Sequence, residues 1–131
     1  MFRNDFNGCE RGIRAISEGI EQIREGLHDI HCCHINEGIH DCREGVCHIE
    51  AGLQDITDAL CNITLCGNCG ERMIRQGIRE INKGNSLVLK GTHDVQNGRI
   101  CRGEQEIAAG LCEDEKGLNH IIEGSKEISF F

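Results

Sequence analysis

Aliphatic residues recur along the chain at alternating spacings of three and four residues. The first stretch shows the pattern most plainly, in Ile13, Ile16, Ile20, Ile23, Leu27 and Ile30. This spacing places the side chains on one face of an α-helix and fills the a and d positions of a heptad. A β-strand requires a period of two, so a glycine-punctuated β-solenoid is the less favoured interpretation. The chain is therefore predicted to form long amphipathic helices.

Glycine recurs every seven residues beside this apolar stripe, beginning with Gly12, Gly19 and Gly26. A glycine inside a helix costs about 1 kcal/mol relative to alanine, so a regular series of glycines needs a compensating gain. A small residue beside a helix contact lets two backbones approach more closely than leucine or isoleucine would allow. The glycine series therefore predicts unusually close helix packing.

The glycine series changes phase three times, which divides the chain into four blocks. Two of these changes coincide with turn-forming residues, at 66–70 and at Asn97-Gly98, whereas the first, within 31–36, contains no glycine. Short connections make consecutive helices antiparallel. We therefore predict an all-α, antiparallel four-helix bundle in one domain, 1–131, with helical repeats at about 5–32, 36–65, 70–97 and 100–129.

Polar residues interrupt the apolar stripe in the second half of the chain. Asn85 and Thr92 take a positions, and Asp114 breaks the stripe of the last block. Polar residues at such positions commonly fix helix register or oligomeric state at a cost in stability. We favour that interpretation over a buried functional site of a cytosolic enzyme or sensor.

The chain of 131 residues is acidic, with a formal net charge of −8 and a pI of about 5.3. Nucleic acid and anionic membranes are therefore poor partners. No apolar run is long enough to cross a bilayer, and residues 1–6 lack the apolar core of a secretory signal. The sequence favours a place at the cell or spore surface, reached without a cleaved signal peptide, with the cytoplasm as the alternative.

Ten cysteines are candidates for disulfides: Cys9, Cys32, Cys33, Cys42, Cys47, Cys61, Cys66, Cys69, Cys101 and Cys112. An even number indicates disulfides in an oxidising compartment, and metal sites or inert thiols in a reducing one. In the heptad assignment Cys9 and Cys42 take inward d positions. Cys47, Cys61 and Cys112 take outward b positions, which suit them to forming cross-links. Disulfides could form within each end of the bundle, and the mid-helix Cys47 and Cys112 would pair either across the bundle or between molecules.

The antiparallel arrangement predicts a cluster of candidate residues at each end of the bundle. One end would collect Cys32, Cys33 and Cys101. The other would collect Cys9, Cys61, Cys66 and Cys69, together with the aromatic residues of the chain, Phe2, Phe6, Phe130 and Phe131. The phenylalanines either close the open end of the core or dock onto another subunit, because exposed apolar patches commonly mark interaction sites. They are our candidates for self-association.

The region between residues 28 and 48 is dense in histidine and cysteine. Its candidate metal ligands are His28, His31, Cys32, Cys33, His34 and His40. Imidazole and thiolate bind zinc and copper, and residues four apart share a helix face. The region matches no standard ligand spacing, and Cys66-x-x-Cys69 has no second CxxC to complete a zinc site. Zinc or copper binding is therefore the alternative prediction, and the favoured one has no cofactor.

No catalytic constellation stands out in the sequence. The serines lack a glycine-rich elbow, and there is no phosphate-binding loop. A closely packed bundle also offers little of the concavity that a Cys–His nucleophile requires. We therefore predict a structural protein rather than an enzyme: a self-associating subunit of a surface layer, coat or filament, stabilised by disulfides. A soft-metal binding or storage bundle is the alternative.

Overall fold

The structure, a computed structural model, describes residues 2–61 and 69–128, with side chains from residue 8 onward. These residues form four helices: α1 (Phe2–His31), α2 (Ile35–Cys61), α3 (Cys69–Gln96) and α4 (Ile100–Ile128). The predicted all-α four-helix bundle is confirmed. Seven of the eight helix boundaries lie within three residues of the predicted positions. The predicted end of the second repeat, residue 65, lies outside the described residues.

The four helices are arranged as two antiparallel hairpins, α1–α2 and α3–α4. Packing is closest within each hairpin, and lighter contacts join α1 to α4 and α2 to α3. Over the described residues α1 does not contact α3, and α2 does not contact α4, so these pairs lie on the diagonals of a square bundle. A hydrogen bond from Arg43 to Gln96 and the contact of His31 with Glu104 place both hairpin turns at the same end.

The core consists of the predicted aliphatic stripes, which meet along the centre of the bundle. All four helices supply fully buried isoleucines: Ile16, Ile23, Ile30, Ile49, Ile56, Ile74, Ile81, Ile107 and Ile121. Burying a side chain of this size stabilises the fold by roughly 1.5–3 kcal/mol. The hydrophobic effect of these stripes is therefore what holds the four helices together.

Facing glycines line the contact within each hairpin. A β-carbon on Gly19 would lie 2.5 Å from the carbonyl oxygen of Gly45, and one on Gly45 would lie 2.6 Å from that of Gly19. The same collision would occur at Gly12–Gly52, Gly26–Gly38, Gly70–Gly124, Gly77–Gly117, Gly84–Gly110 and Gly91–Gly103. Only glycine permits this separation of the two backbones, and the predicted close packing is confirmed.

The two hairpins are copies of one another. Residues 12–63 align without a gap with residues 77–128, an offset of 65, and 17 of the 52 aligned positions are identical. The unit that repeats is therefore the hairpin, with two single-helix blocks inside it. A lone helix cannot bury its apolar stripe, whereas a hairpin provides a partner for each stripe.

The two turns have the same backbone structure although their sequences differ. Cys33 and Gly98 occupy the same position in their hairpins, with φ angles of 73° and 89°. After each of them an amide donates back to the last turn of the helix, from His34 to the Asp29 carbonyl and from Arg99 to the Asp94 carbonyl, both at 2.8 Å. This is the Schellman helix end, for which glycine is the preferred residue.

Replacing Cys33 with glycine is expected to stabilise the protein. The left-handed conformation costs a residue with a β-carbon roughly 1–2 kcal/mol, and glycine does not incur this cost. We expect Cys33→Gly to raise the free energy of unfolding in urea by about 1 kcal/mol, after the entropy of the new glycine is allowed for. Cys33→Ala is the control because it removes the thiol but retains the β-carbon; an equal gain in both variants would contradict this explanation.

Candidate functional site

Thiols cover much of the described surface. Seven of the nine described cysteines are exposed: Cys32, Cys33, Cys47, Cys61, Cys69, Cys101 and Cys112. All nine are free thiols, so the predicted disulfides remain a prediction, and Cys66 lies outside the described residues. The predicted inward or outward facing of these side chains is confirmed. Cys42 is buried, Cys9 is half-buried against the core, and the three cysteines at outward b positions are exposed.

Burial separates two of the thiols from the rest chemically. Burial, assisted by the charges of Asp41 and Asp29, raises the pKa of the Cys42 thiol to about 12. Its Sγ donates to the carbonyl oxygen of Ile23 at 3.7 Å. Burial, with the charge of Glu10, also raises the pKa of Cys9. Because the thiolate is the reactive form, Cys42 is inert and the exposed cysteines carry whatever thiol chemistry the protein has.

The exposed cysteines occupy three levels along the bundle. Cys32 and Cys33 follow α1, and Cys101 lies in the first turn of α4, at the end that holds both hairpin turns. Cys61 ends α2 and Cys69 begins α3, at the opposite end. Cys47 and Cys112 lie between these ends, in the middle of α2 and α4. The exposed cysteines near the two ends of the bundle therefore lie where the antiparallel arrangement predicts them.

The six candidate metal ligands do not form one cluster. His28 Nε2 lies 3.7 Å from Cys32 Sγ, which confirms that these two share a helix face. His31 contacts Glu104 at 3.1 Å, and His40 contacts Glu44 at 2.9 Å. Cys33 and His34 form the turn. Among the described residues no group of three or more histidine, cysteine and acidic side chains is positioned to hold a metal ion.

The polar residues predicted on the apolar stripe are buried in the second hairpin. Asp114 and Thr92 are inaccessible to solvent, and Asn85 is nearly so. The Thr92 hydroxyl donates to the Leu89 carbonyl at 2.8 Å, whereas both side-chain polar atoms of Asn85 and of Asp114 have no hydrogen-bond partner among the described residues. Burial, reinforced by Glu113 and Glu115, raises the pKa of Asp114 to about 8.

The described part of the first hairpin has no such polar core. Ile20, Leu27 and Ile49 take the positions equivalent to Asn85, Thr92 and Asp114. All the polar substitutions thus lie in one copy of a duplicated unit. Their burial is confirmed, and their assignment to helix register remains a prediction.

Each hairpin carries a pair of carboxyl groups near its turn. Asp41 lies beside Asp29, and at the equivalent positions Asp94 lies beside Glu106, each pair close enough to share a proton in a hydrogen bond. Burial, followed by the charge of Asp29, raises the pKa of Asp41. The hydrogen bond with Glu106 and the charge of Arg99 outweigh burial and lower the pKa of Asp94. No spacing within a single helix reveals these pairs, because their members lie on facing helices.

Two histidines outside the predicted metal site also bridge facing helices. His48 Nδ1 lies 2.8 Å from Gln22 Oε1, and His120 Nδ1 lies 2.6 Å from Glu80 Oε1. Burial raises the pKa of Glu80, but the hydrogen bonds and charges of His120 and Lys116 outweigh it and lower that pKa. These contacts link α1 to α2 and α3 to α4, so they support the hairpins rather than form a site.

A shallow groove of about 430 Å³ runs between α1 and α4. It is lined by Arg24, Leu27, His28, His31, Glu104, Gln105 and Ala108. The groove includes neither the buried Asp114 nor Asn85, and its member His28 also lies beside the Cys32 thiol. Its position at an open seam between hairpins gives it no enclosed reaction centre.

The candidate self-association residues cannot be placed. Phe130 and Phe131 lie outside the described residues, and the side chains of Phe2 and Phe6 lie outside them as well.

None of the described helices is both long enough and apolar enough to span a membrane. Comparisons of the chain with protein-family models, with curated proteins and with solved structures found no match.

Proposed function

We propose that the protein is a structural building block that associates with itself, as a subunit of a surface layer, coat or filament, and that disulfides join its copies. The observation that carries this proposal is the distribution of exposed thiols over both ends and the middle of a closely packed bundle. A rigid body with reactive groups on several surfaces is what covalent assembly requires. No described cluster of side chains offers a better-supported chemical role.

The mid-helix thiols support assembly between copies in particular. Two cysteines form a disulfide only when their Cα atoms are about 4.4–6.8 Å apart. Cys47 and Cys112 lie on α2 and α4, which over the described residues do not contact one another across the bundle. These thiols therefore need a second molecule if they are to be oxidised to a protein disulfide.

Disulfide assembly also bears on the proposed location. Protein disulfides persist in oxidising surroundings and are rare in a reducing cytosol. We therefore place the assembled protein at the cell or spore surface, with the cytoplasm as the alternative.

The test is to remove the exposed thiols and keep the fold. Nine cysteines are replaced by serine, and Cys42 is kept because its buried thiol belongs to the core. After incubation with glutathione disulfide, the parent chain should run as covalent multimers on non-reducing electrophoresis and the variant as a monomer. Multimers of equal size in the variant would refute the role of disulfides.

Soft-metal binding is the second candidate, favoured by the His28–Cys32 pair on one turn of helix. The test is the zinc and copper content of protein purified without chelator, compared with that of His28→Ala and Cys32→Ser. The control is His93→Ala, because His93 is the equivalent histidine and contacts Asn97 at 3.0 Å instead of a thiol. Stoichiometric metal that is lost only from the first two variants would support this function; metal-free parent protein would refute it.

A further inference from the structure

Cys47 and Cys112 are the only cysteines that occupy equivalent positions in the two hairpins. Both are exposed. Each lies 14 residues beyond the left-handed residue of its turn, Cys33 or Gly98. At about 1.5 Å per residue, both thiols lie roughly 20 Å from the end of the bundle that holds the turns. They therefore lie at the same level along the bundle.

The two thiols also lie on opposite sides of the bundle. Their helices, α2 and α4, occupy opposite corners of the square, and the two hairpins are related by a half-turn about the long axis of the bundle. A half-turn carries an outward-facing residue on one side to an outward-facing residue on the other. Each copy of the chain thus presents one thiol on each of two opposed faces.

We propose, building on the proposed function, that Cys47 of one copy forms a disulfide with Cys112 of the next, so that the chain polymerises into an open filament. The α2 face of one copy lies against the α4 face of its neighbour, and the two helices run in the same direction. Successive copies are then related by a translation across the bundle. A head-to-tail contact of this kind does not close on itself, so it generates a filament.

The α2 face around Cys47 carries two long side chains on the turn before the cysteine, and one long and one short side chain on the turn after it. Arg43 and Glu44 lie one helical turn before the cysteine, and Glu50 and Ala51 lie one turn after it. All of these residues are exposed. A neighbouring helix close enough for a disulfide must therefore carry short side chains opposite Arg43 and Glu44.

The α4 face around Cys112 carries short side chains on the turn before the cysteine. Ala108 and Ala109 lie on that turn, and Glu115 and Lys116 lie one turn after the cysteine, all exposed. When parallel helices bring the two sulfurs into register, the alanines face the long side chains of Arg43 and Glu44, and Lys116 faces Glu50. The two faces are complementary in shape on the turn before the link and in charge on the turn after it.

Shape favours this pairing over a link between two copies of Cys47. An antiparallel Cys47–Cys47 contact would place the long side chains of Arg43 and Glu50 opposite each other on both sides of the link. The parallel contact places alanines opposite Arg43 and Glu44, and it brings together the opposite charges of Lys116 and Glu50. The head-to-tail arrangement therefore lets the two helices approach more closely.

Each link forms by two steps of thiol–disulfide exchange with a small-molecule disulfide such as glutathione disulfide. The Cys47 thiolate attacks one sulfur of that disulfide, forms a mixed disulfide and releases one glutathione thiolate. The Cys112 thiolate of the next copy then attacks the Cys47 sulfur and releases the second. Two protein thiols are oxidised to one disulfide, the glutathione disulfide is reduced to two thiols, and these take up the two protons.

The test uses a chain that retains only Cys42, Cys47 and Cys112, with the other seven cysteines replaced by serine. Its helicity and thermal unfolding are first compared with those of the parent chain. With glutathione disulfide it should form a ladder of dimers, trimers and longer species, which reductant returns to monomer. Tryptic digestion should yield peptide 44–72 joined to peptide 103–116 by a disulfide.

Removing either remaining exposed thiol should end the chain growth. In this background, Cys47→Ser and Cys112→Ser should each stay monomeric, and an equal mixture of the two should stop at the dimer. A chain that instead retains Cys42, Cys61 and Cys101 is the control, since its two exposed thiols lie at opposite ends of the bundle. It should form at least tenfold less material above the dimer.

Three results would overturn the filament link. The three-cysteine chain could stay monomeric while the parent forms multimers, either single-thiol variant could form homodimers as readily as the mixture, or the control could form an equal ladder. In each case the proposed function stands and only the link is wrong. A parent chain that forms no covalent multimer would overturn the proposed function, and this inference with it.

Discussion

Replacing Asp114 with isoleucine should raise the free energy of unfolding by several kcal/mol at neutral pH. Asp114 is fully buried, and both of its carboxyl oxygens lack a hydrogen-bond partner among the described residues. An unsatisfied buried polar group costs roughly 1–3 kcal/mol, more if it is charged. Isoleucine fits, because Ile49 fills the equivalent position against Gly19 in the first hairpin. The measurement is chemical denaturation of both proteins at pH 7.

The same residue gives the stability a defined dependence on pH. Burial raises the pKa of Asp114 from 3.8 to about 8, so the folded protein keeps this proton over a range in which the unfolded chain has released it. Stability therefore falls as the pH rises from about 4 to about 8 and levels off above that range. At about 1.4 kcal/mol per pKa unit, the total loss is on the order of 5 kcal/mol.

Asp114→Asn is the matched control for the titration. The amide cannot lose a proton, but it remains a buried polar group. The unfolding free energy of this variant should exceed that of the parent by a small amount at pH 4. The excess should grow as the pH rises to 8. If the parent and Asp114→Asn changed with pH in parallel, Asp114 would not be the titrating group.

Replacing Gly19 with alanine should destabilise the protein, although alanine is the better helix former. The added methyl would lie 2.5 Å from the Gly45 carbonyl oxygen and 2.5 Å from Cγ1 of Ile49. The backbone cannot yield without separating α1 from α2, and overpacking of this kind costs roughly 1–3 kcal/mol. That cost exceeds the gain of about 1 kcal/mol in helix propensity. Urea denaturation should show a net loss.

Gly8→Ala is the matched control on the same helix. A β-carbon there would meet its nearest neighbour, the Ala59 β-carbon, at 3.7 Å, which is ordinary contact. The variant should therefore gain up to about 1 kcal/mol from helix propensity alone. Opposite signs for the two substitutions would establish that the glycine series exists for close packing. A gain in both variants would contradict that explanation.

Most of the fold was predictable because it depends on local periodicity. The aliphatic spacing and the glycine phase are properties of each helix by itself, and they located the four helices and the faces that pack together. The first turn was the uncertain boundary because it contains no glycine: Cys33 adopts the left-handed conformation that Gly98 takes in the second. An unfavourable residue at a helix end leaves no signal in the sequence.

The candidate site was less predictable because it depends on contacts between helices. The heptad correctly assigned Cys47 and Cys112 to the surface and Asp114 to the stripe, since facing direction follows from position in one helix. It did not reveal that Asp114 lacks a hydrogen-bond partner among the described residues, because that depends on the residues of α3. Nor did it show that His31 and His40 contact glutamates instead of sharing a site with His28 and Cys32.

The most direct test of the proposed function is the intact mass of the full chain after incubation with glutathione disulfide, measured under denaturing, non-reducing conditions. The proposal predicts masses at multiples of the monomer, each lowered by two hydrogens per disulfide, and a return to the monomer mass on reduction. Monomeric species alone, before and after reduction, would contradict it, whether the ten thiols were free, capped by glutathione or paired within the chain.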